Sequence, residues 1–288
     1  MIREVFIMIK KLIICVLCMC MLSACTLSLN KPETLTDNTN SNIDGTTEAT
    51  TVPPAEAVAD MNSLSSKKIV WGPGNIENHQ QPNEPKGLDE KYAELSALWF
   101  ASDKKEILLT FDEGYENGFT PSILDTLKEK NVKAVFFVTY DFAKDNNDLI
   151  RRMIDEGHIV GNHSYHHYSM DELDNETAEE EVMFLHRYIK DNFNYTMSYF
   201  RFPKGEFSEQ NLALLKRLGY TSVFWSFAYA DWDVNAQPDE SAAFTKICES
   251  THPGEIMLLH AVSKTNADIL PKVIDDIRQQ GYEFKSDF

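Results

Sequence analysis

Cysteine is scarce in most of this sequence: four of the five cysteines lie within the first 25 residues, and only Cys248 follows. An extracellular disulfide framework needs several cysteines in the mature domain, and a cysteine-type zinc site needs a cluster of them. Neither is available beyond residue 25. Basic residues are also few, because 27 Lys and Arg stand against 45 Asp and Glu and give a net charge of -18. Phosphate binding needs clustered Lys and Arg, so nucleic acid is not expected as a partner.

The apolar run near the amino terminus, residues 12–22, is too short for a comfortable transmembrane helix, which needs ~20 apolar residues. Basic residues precede this run, and the tetrapeptide LSAC at 22–25 follows it. This is the pattern of a secretory signal, and LSAC resembles the bacterial lipoprotein box. We therefore predict a signal peptide at 1–24 and a lipid on Cys25, which would anchor the protein to the outer face of a bacterial cell membrane. An uncleaved anchor and an ordinary signal peptide are the alternatives.

Residues 25–66 form the next segment, which is rich in Thr, Asn, Ser, Glu, Asp and Pro and has no aromatic residue. Such a composition cannot bury enough apolar surface to offset the entropy of ordering. We predict a flexible tether between the lipid and one domain at 67–288. A glycosylated stalk is the alternative for the tether.

Short apolar runs alternate with helical patterns from residue 69 onward. Continuous apolar runs are typical of buried parallel strands, so the alternation predicts βα units and a parallel sheet, open or closed into a barrel. The predicted strands are 107–111, 134–138, 158–161, 198–202, 222–225, 256–260 and 282–285. The predicted helices are 121–130, 149–156, 171–192, one from the cap Ser208 to Gly219, and 268–280.

Polar residues follow the carboxyl ends of these strands, where the active sites of such folds lie. Asp112 and Glu113 end the first strand, and two adjacent carboxylates each need a metal, an arginine or a proton as partner. A helix N-cap pair before Gly114 is the alternative. His163 and His167 are four residues apart, so one helical turn would place both imidazoles on one side. Together with one carboxylate they would leave open metal positions for water and substrate.

Five short motifs in a fixed order resemble those of the polysaccharide deacetylases, the NodB-homology or carbohydrate esterase family 4 group. The resemblance covers roughly residues 69–288, and it implies an irregular (β/α)7 barrel that hydrolyses acetamides to amine and acetate. The segments TFDEGYENG and VFWSFAYADWD further resemble the δ-lactam-forming branch that acts on muramic acid. The motifs are TFDE at 110–113, HSYHH at 163–167, RFPKG at 201–205, ADW at 230–232 and LLH at 258–260.

The resemblance implies a metal site and an acid–base pair. Glu113, His163 and His167 would hold a divalent metal, with zinc as the first choice and other divalent ions open. Asp112 would be the general base, and His260 would be the general acid. Many family members carry Asp at the position of Glu113. The longer side chain leaves three outcomes open: the site re-forms, binds metal weakly, or excludes Glu113 from the ligands.

Four further residues receive supporting roles from the resemblance. Arg201 would orient the base, and Asp231 would keep His260 cationic. The backbone N–H of Lys204 would help to hold the oxyanion. Trp232 would form part of the pocket wall, and packing in the core is the alternative for this tryptophan.

The predicted function is metal-dependent deacetylation of N-acetylmuramic acid in peptidoglycan by a lipid-anchored monomer. A deacetylase of N-acetylglucosamine or of an exopolysaccharide is the first alternative. A lipid-anchored glycan-binding protein that lost turnover through Glu113 is the second. A zinc peptidase is less favoured, because no HExxH motif is present.

Overall fold

The structure is a computed structural model, and it describes residues 61–288. The predicted signal peptide, the lipidation site Cys25 and the tether up to residue 60 lie outside these residues. The last part of the predicted tether contacts the domain: Met61–Ser63 forms a 3₁₀ helix, and the Gln210 amide group donates to the Leu64 carbonyl oxygen at 3.1 Å. The packed part of the chain therefore includes residues before 67.

Strands and helices alternate along the described residues, as the apolar runs indicate. The strands are β1 (Ile69–Val70), β2 (Ala97–Leu98), β3 (Glu106–Glu113), β4 (Val135–Val138), β5 (Ile159–Asn162), β6 (Tyr199–Phe200), β7 (Glu206–Phe207), β8 (Thr221–Val223), β9 (Glu255–His260) and β10 (Glu283–Phe284). The helices are α1 (Asn83–Tyr92), α2 (Thr120–Glu129), α3 (Tyr140–Asp145), α4 (Asn147–Asp155), α5 (Asn175–Phe193), α6 (Glu209–Arg217), α7 (Glu240–Ser250) and α8 (Lys264–Gln279).

Seven parallel strands curl into an irregular barrel in the order β2, β8, β6, β5, β4, β3 and β9. A parallel bridge between Phe227 and Met257 joins the chain beyond β8 to β9 and brings the two ends of the sheet together. β10 pairs with the start of β3, while β1 and β7 form a separate antiparallel ribbon. The prediction of an irregular (β/α)7 barrel is confirmed.

The apolar runs form the core because both faces of these strands are covered. All four residues of β4 are buried, and Phe111 on β3 stacks on Phe136 at 5.2 Å between ring centroids. Burial of each such side chain contributes about 1.5–3 kcal/mol. α6 begins where predicted, because Ser208 and Asn211 exchange side-chain and backbone hydrogen bonds in a capping box. This packing holds the strand ends, and with them the polar motifs, in fixed positions.

Three helices were not predicted from the sequence: α1, α3 and α7. α1 contains Pro85 and Gly87, both weak helix formers, and buries only two of its ten residues. α7 begins at a clear signal, because the Asp239 carboxylate accepts from the backbone N–H groups of Ser241 and Ala242. Among residues 61–288, none of the helices is long and apolar enough to cross a membrane.

Candidate active site

The carboxyl ends of the barrel strands surround a cavity of about 720 Å³. Most of the side chains that the sequence singled out line this cavity. Arg201 and Asp231 lie fully buried just behind its wall, in contact with residues that line it. The predicted site residues in the cavity wall are Asp112, His163, His167, Lys204, Trp232 and His260.

Arg201 anchors the side chain of Asp112. Its Nη1 donates to Asp112 Oδ1 and to Thr110 Oγ1, both at 2.8 Å. The other guanidinium nitrogens donate to the carbonyl oxygens of Val223 at 3.2 Å and Phe224 at 3.1 Å. A buried guanidinium needs such a complete set of acceptors, and one of them must be a charge. The geometry therefore fixes both the position and the ionised state of Asp112.

The pKa of Asp112 follows from this pairing. Burial alone would raise it, but the charges of Arg201, His163 and His260 outweigh burial and hold the pKa of Asp112 below its usual value. Asp112 is therefore a carboxylate at neutral pH. Its second oxygen, Oδ2, is free of Arg201 and lies 3.5 Å from His163 Nε2.

His163 and His167 turn their Nε2 atoms toward each other at 3.2 Å. His163 Nδ1 lies 2.8 Å from the Arg201 carbonyl oxygen, so Nδ1 carries the proton and Nε2 keeps its lone pair. The two rings do not meet through a helical turn, as the spacing suggested. The segment is a loop in which Ser164 and His167 have positive φ angles of 72° and 60°, a conformation that L residues adopt at some cost.

Side-chain hydrogen bonds hold this histidine loop in place. Ser164 N–H donates to Asn162 Oδ1 at 2.8 Å, and His167 N–H donates to Ser164 Oγ at 2.9 Å. His166 turns away from the other two histidines, because its backbone N–H and its Nδ1 both contact the buried Glu181 carboxylate, at 2.8 and 2.6 Å. The loop therefore presents two imidazoles of the three to one point.

Asp231 supports His260, which lies beside Asp112 at the paired end of β9. Asp231 Oδ1 accepts from His260 Nδ1 at 2.7 Å, and Oδ2 accepts from the His260 backbone N–H at 2.8 Å. Asn266 Nδ2 donates to the same Oδ2 at 2.6 Å. Burial opposes the cationic form of His260, but the hydrogen bond and charge of Asp231 dominate and raise the pKa of His260. The nearby Trp232 is 57% exposed, so packing in the core is not its role.

Glu113 points away from the cavity, because successive side chains of a strand face opposite sides. Its carboxylate is fully buried, and neither oxygen has a hydrogen-bond partner among the described residues. Burial, together with the charges of Glu116 and Asp112, raises the pKa of Glu113 well above its usual value. This arrangement favours the third of the outcomes that the sequence left open, in which Glu113 lies outside the metal ligands, and burial favours the neutral form of its carboxyl group.

The two histidines nevertheless suit a divalent ion. Burial lowers the pKa of both, to about 3 for His167, and neutral imidazole is the form that binds metals. The 3.2 Å between their Nε2 atoms allows both to bind one ion, since metal–nitrogen bonds are about 2.0–2.1 Å. Among residues 61–288, no set of three His, Cys, Asp and Glu side chains converges as a metal site. The described residues thus bring two imidazole nitrogens together at one point of the cavity.

The turn Pro203–Gly205 carries Lys204 at the cavity wall. Lys204 and Gly205 both have positive φ angles, 58° and 69°. A Cβ atom on Gly205 would lie 2.8 Å from the Trp225 ring and 3.1 Å from the Trp71 carbonyl oxygen, so glycine is required here. The close packing of this glycine sets the direction of the Lys204 backbone.

Sequence reasoning missed three residues that support the site: Thr110, Glu181 and Asn266. Thr110 lies two residues before Asp112 and so shares its face of β3, which is a readable signal. Glu181 lies on the buried, apolar face of α5, and a charged residue on such a face needs a polar or oppositely charged partner. Asn266 lies within α8 and has no comparable signal in the sequence.

Comparison with known proteins gives consistent matches. A sequence profile of the polysaccharide deacetylase family matches residues 101–223. The chain is 43% identical over 242 residues to the peptidoglycan-N-acetylmuramic acid deacetylase PdaA of Bacillus subtilis (strain 168), which covers 81% of this chain and 89% of that protein.

Solved structures agree with the sequence matches. The structure of Bacillus subtilis PdaA, a family 4 carbohydrate esterase, superimposes with a TM-score of 0.74 at 42% identity and covers 77% of this chain and 96% of that one. A family 4 carbohydrate esterase from Bacillus anthracis gives a TM-score of 0.64 at 41% identity, over 77% of this chain and 95% of the other.

Proposed function

Since the chain belongs to the polysaccharide deacetylase family, we propose that it removes the acetyl group of N-acetylmuramic acid in peptidoglycan. The observation that carries this proposal is the pairing in one cavity of an ionised carboxylate, Asp112, with a histidine whose pKa is raised, His260. Amide hydrolysis needs a base for the attacking water and an acid for the departing amine. The muramic acid substrate is taken from the name of the Bacillus subtilis relative.

Asp112 Oδ2 accepts a proton from the water that attacks the acetamide carbonyl carbon. His260 then donates a proton to the nitrogen as the C–N bond breaks, which releases a free amine and acetate. Arg201 keeps Asp112 in place and ionised, and Asp231 keeps His260 protonated. A glycan-binding protein would need neither charge state, so these two pairs favour turnover over the binding alternative.

The cavity also supplies the groups that stabilise the carbonyl. His163 and His167 would hold the divalent ion, which would supply Lewis-acid polarisation of the acetamide carbonyl group. The backbone N–H of Lys204 supports the negative charge that develops on the carbonyl oxygen. Trp232, exposed beside His260, offers an apolar surface to the sugar.

The proposal places the protein outside the cytoplasm, with lipid on Cys25 and a tether that lets the domain reach the cell wall. The LSAC tetrapeptide supports this location. Replacement of Cys25 by Ala should release the protein from the membrane fraction or leave it as a longer precursor. Unchanged membrane partitioning and size would refute the lipid anchor.

The decisive experiment treats peptidoglycan with the protein, digests it with a muramidase and locates the lost acetyl group by mass spectrometry. We expect the loss on muramic acid, with Asp112→Asn as the inactive control. Loss confined to glucosamine would identify the first alternative, and loss from neither sugar would refute the deacetylase function.

A further inference from the structure

Lys204 is the only lysine or arginine among residues 61–288 that lines the catalytic cavity. Its side chain is exposed, and its charge adds to the effect of burial in lowering the pKa of His167. Lys204 therefore lies in the cavity wall that also contains His167. A free cation in this place is unusual in a chain with a net charge of -18.

The acidic residues around Lys204 already have other partners. Lys68 Nζ contacts Glu172 at 2.9 Å, Glu206 at 3.3 Å and Asp171 at 3.6 Å. The remaining acid at the cavity mouth, Asp141, pairs with Lys144 at 3.1 Å. Within the described residues, Lys204 itself makes no ion pair, so its charge is available to a ligand.

We propose that the Lys204 side chain selects sugars in which the carbon next to the acetamido carbon carries an ether substituent that ends in a carboxylate. This inference rests on the proposed function and adds a specificity residue to it. Muramic acid is glucosamine with a lactyl ether on C3, and the acetamido group is on the adjacent C2. A substrate that presents the acetamide to Asp112 and His260 therefore holds the lactyl carboxylate within the reach of a long side chain on the neighbouring wall.

The turn geometry supports this role. Lys204 adopts a positive φ of 58°. This left-handed backbone conformation costs a lysine about 1–2 kcal/mol. Asn or Gly at this position would lower the conformational cost, yet the sequence has lysine. A requirement for a cation at this position explains why lysine is present.

The test compares two soluble oligosaccharides of alternating N-acetylglucosamine and N-acetylmuramic acid. One has free lactyl carboxylates, and the other has them converted to neutral methylamides. Acetate release gives kcat and KM for each substrate with the wild type, Lys204→Met, Lys204→Arg and the control Lys246→Met. Lys246 is exposed on α7 and lies outside the cavity wall, so its replacement removes the same charge elsewhere.

For the wild type we expect a KM roughly tenfold lower for the carboxylate than for the methylamide, the effect of about 1.4 kcal/mol of binding. Lys204→Met should abolish this ratio, while Lys204→Arg and Lys246→Met should keep it. The ratio should also shrink with added salt, because an exposed ion pair is screened. A wild type without preference, or a Lys204→Met variant that keeps it, overturns the inference and leaves the deacetylase function intact. Release of acetate from neither substrate would overturn both.

Discussion

A histidine and an acidic residue lie together at each end of β9, but the two pairs differ in their charge states and in their access to solvent. At its carboxyl end, His260 pairs with the carboxylate of Asp231 and lines the cavity. Near its amino end, His252 and Glu255 lie fully buried, and His252 Nε2 contacts Ser226 Oγ at 2.8 Å. Ser226, His252 and Glu255 are the residue types of a hydrolase triad, yet this second cluster is sealed from solvent.

The charge states explain the difference. Burial lowers the pKa of His252 to about 4 and raises the pKa of Glu255 well above its usual value, so burial favours the neutral form of both groups. His252 Nδ1 lies 2.9 Å from the carbonyl oxygen of Ser250, and the Glu255 carboxyl group lies farther away, at 3.5 Å. At the cavity end, the hydrogen bond and charge of Asp231 favour the protonated form of His260. His260 also lines the open cavity. The partner of the histidine and its access to the cavity, rather than the residue type, therefore distinguish the candidate active site from the sealed cluster.

Loss of Asp112, the proposed base at the cavity end, should have the largest effect. Asp112→Asn should reduce kcat by ~10²-fold or more, the range for a lost acid–base group. It should also destabilise the fold by about 3–5 kcal/mol, because Arg201 stays buried without its counter-charge. Acetate release and thermal unfolding measure the two effects. A rate close to that of the wild type would remove Asp112 from the mechanism.

Loss of the Asp231 carboxylate should make His260 resemble His252. The active form of His260 is protonated, so activity falls as pH rises through its raised pKa, above the ordinary value near 6.5. Asp231→Asn should lower this pKa and move the alkaline limb of kcat/KM to lower pH. Activity at pH 8 should then fall roughly tenfold for each pH unit by which the limb moves. A limb that stays in place would exclude His260 as the titrating acid.

The sealed cluster should affect stability and not turnover. The pKa of Glu255 is raised in the folded protein and is ~4.3 in an unfolded chain, so its stabilising contribution is present below the unfolded pKa and is lost as pH rises toward the folded pKa. Glu255→Gln should therefore reduce the loss of thermal stability between pH 5 and pH 8. Unfolding midpoints at both pH values test this. An altered kcat would contradict the separation of the two ends.

The smallest effect is expected at Glu113, whose neutral carboxyl group resembles Glu255 more than Asp112. Glu113→Gln should leave kcat and metal affinity within about twofold, since both side chains are uncharged in the folded protein. Metal titration beside the wild type, with His167→Ala as the positive control, measures the affinity. A tenfold weaker affinity in Glu113→Gln would restore Glu113 as a ligand.

The strands and the residues at their ends were predictable because each rests on a local rule. Continuous apolar runs predicted six of the barrel strands, and the N-cap residue Ser208 predicted the start of α6. The two-residue strand β2 was not predicted, although it opens the apolar run 97–101, and only its pairing with β8 identifies it as a barrel strand. The orientation of Glu113 could also have been predicted, since it and Asp112 face opposite sides of one strand.

The histidine loop could not be derived from spacing. Four residues separate His163 from His167, and a helical turn is the simplest way to bring them together. The chain instead uses left-handed residues, held by Asn162, Ser164 and Glu181 from β5, the loop itself and α5. Contacts between distant segments decide such a loop, and they are absent from local sequence rules.

The charge states of His260 and His252 test the account most directly. An NMR titration of the histidine ring signals in the whole protein, assigned with His260→Gln and His252→Gln, follows both residues in one sample. The account predicts that His260 titrates above its ordinary pKa near 6.5, while His252 stays neutral down to about pH 4. A His260 that is already neutral at pH 6 would contradict the general acid and, with it, the proposed reaction.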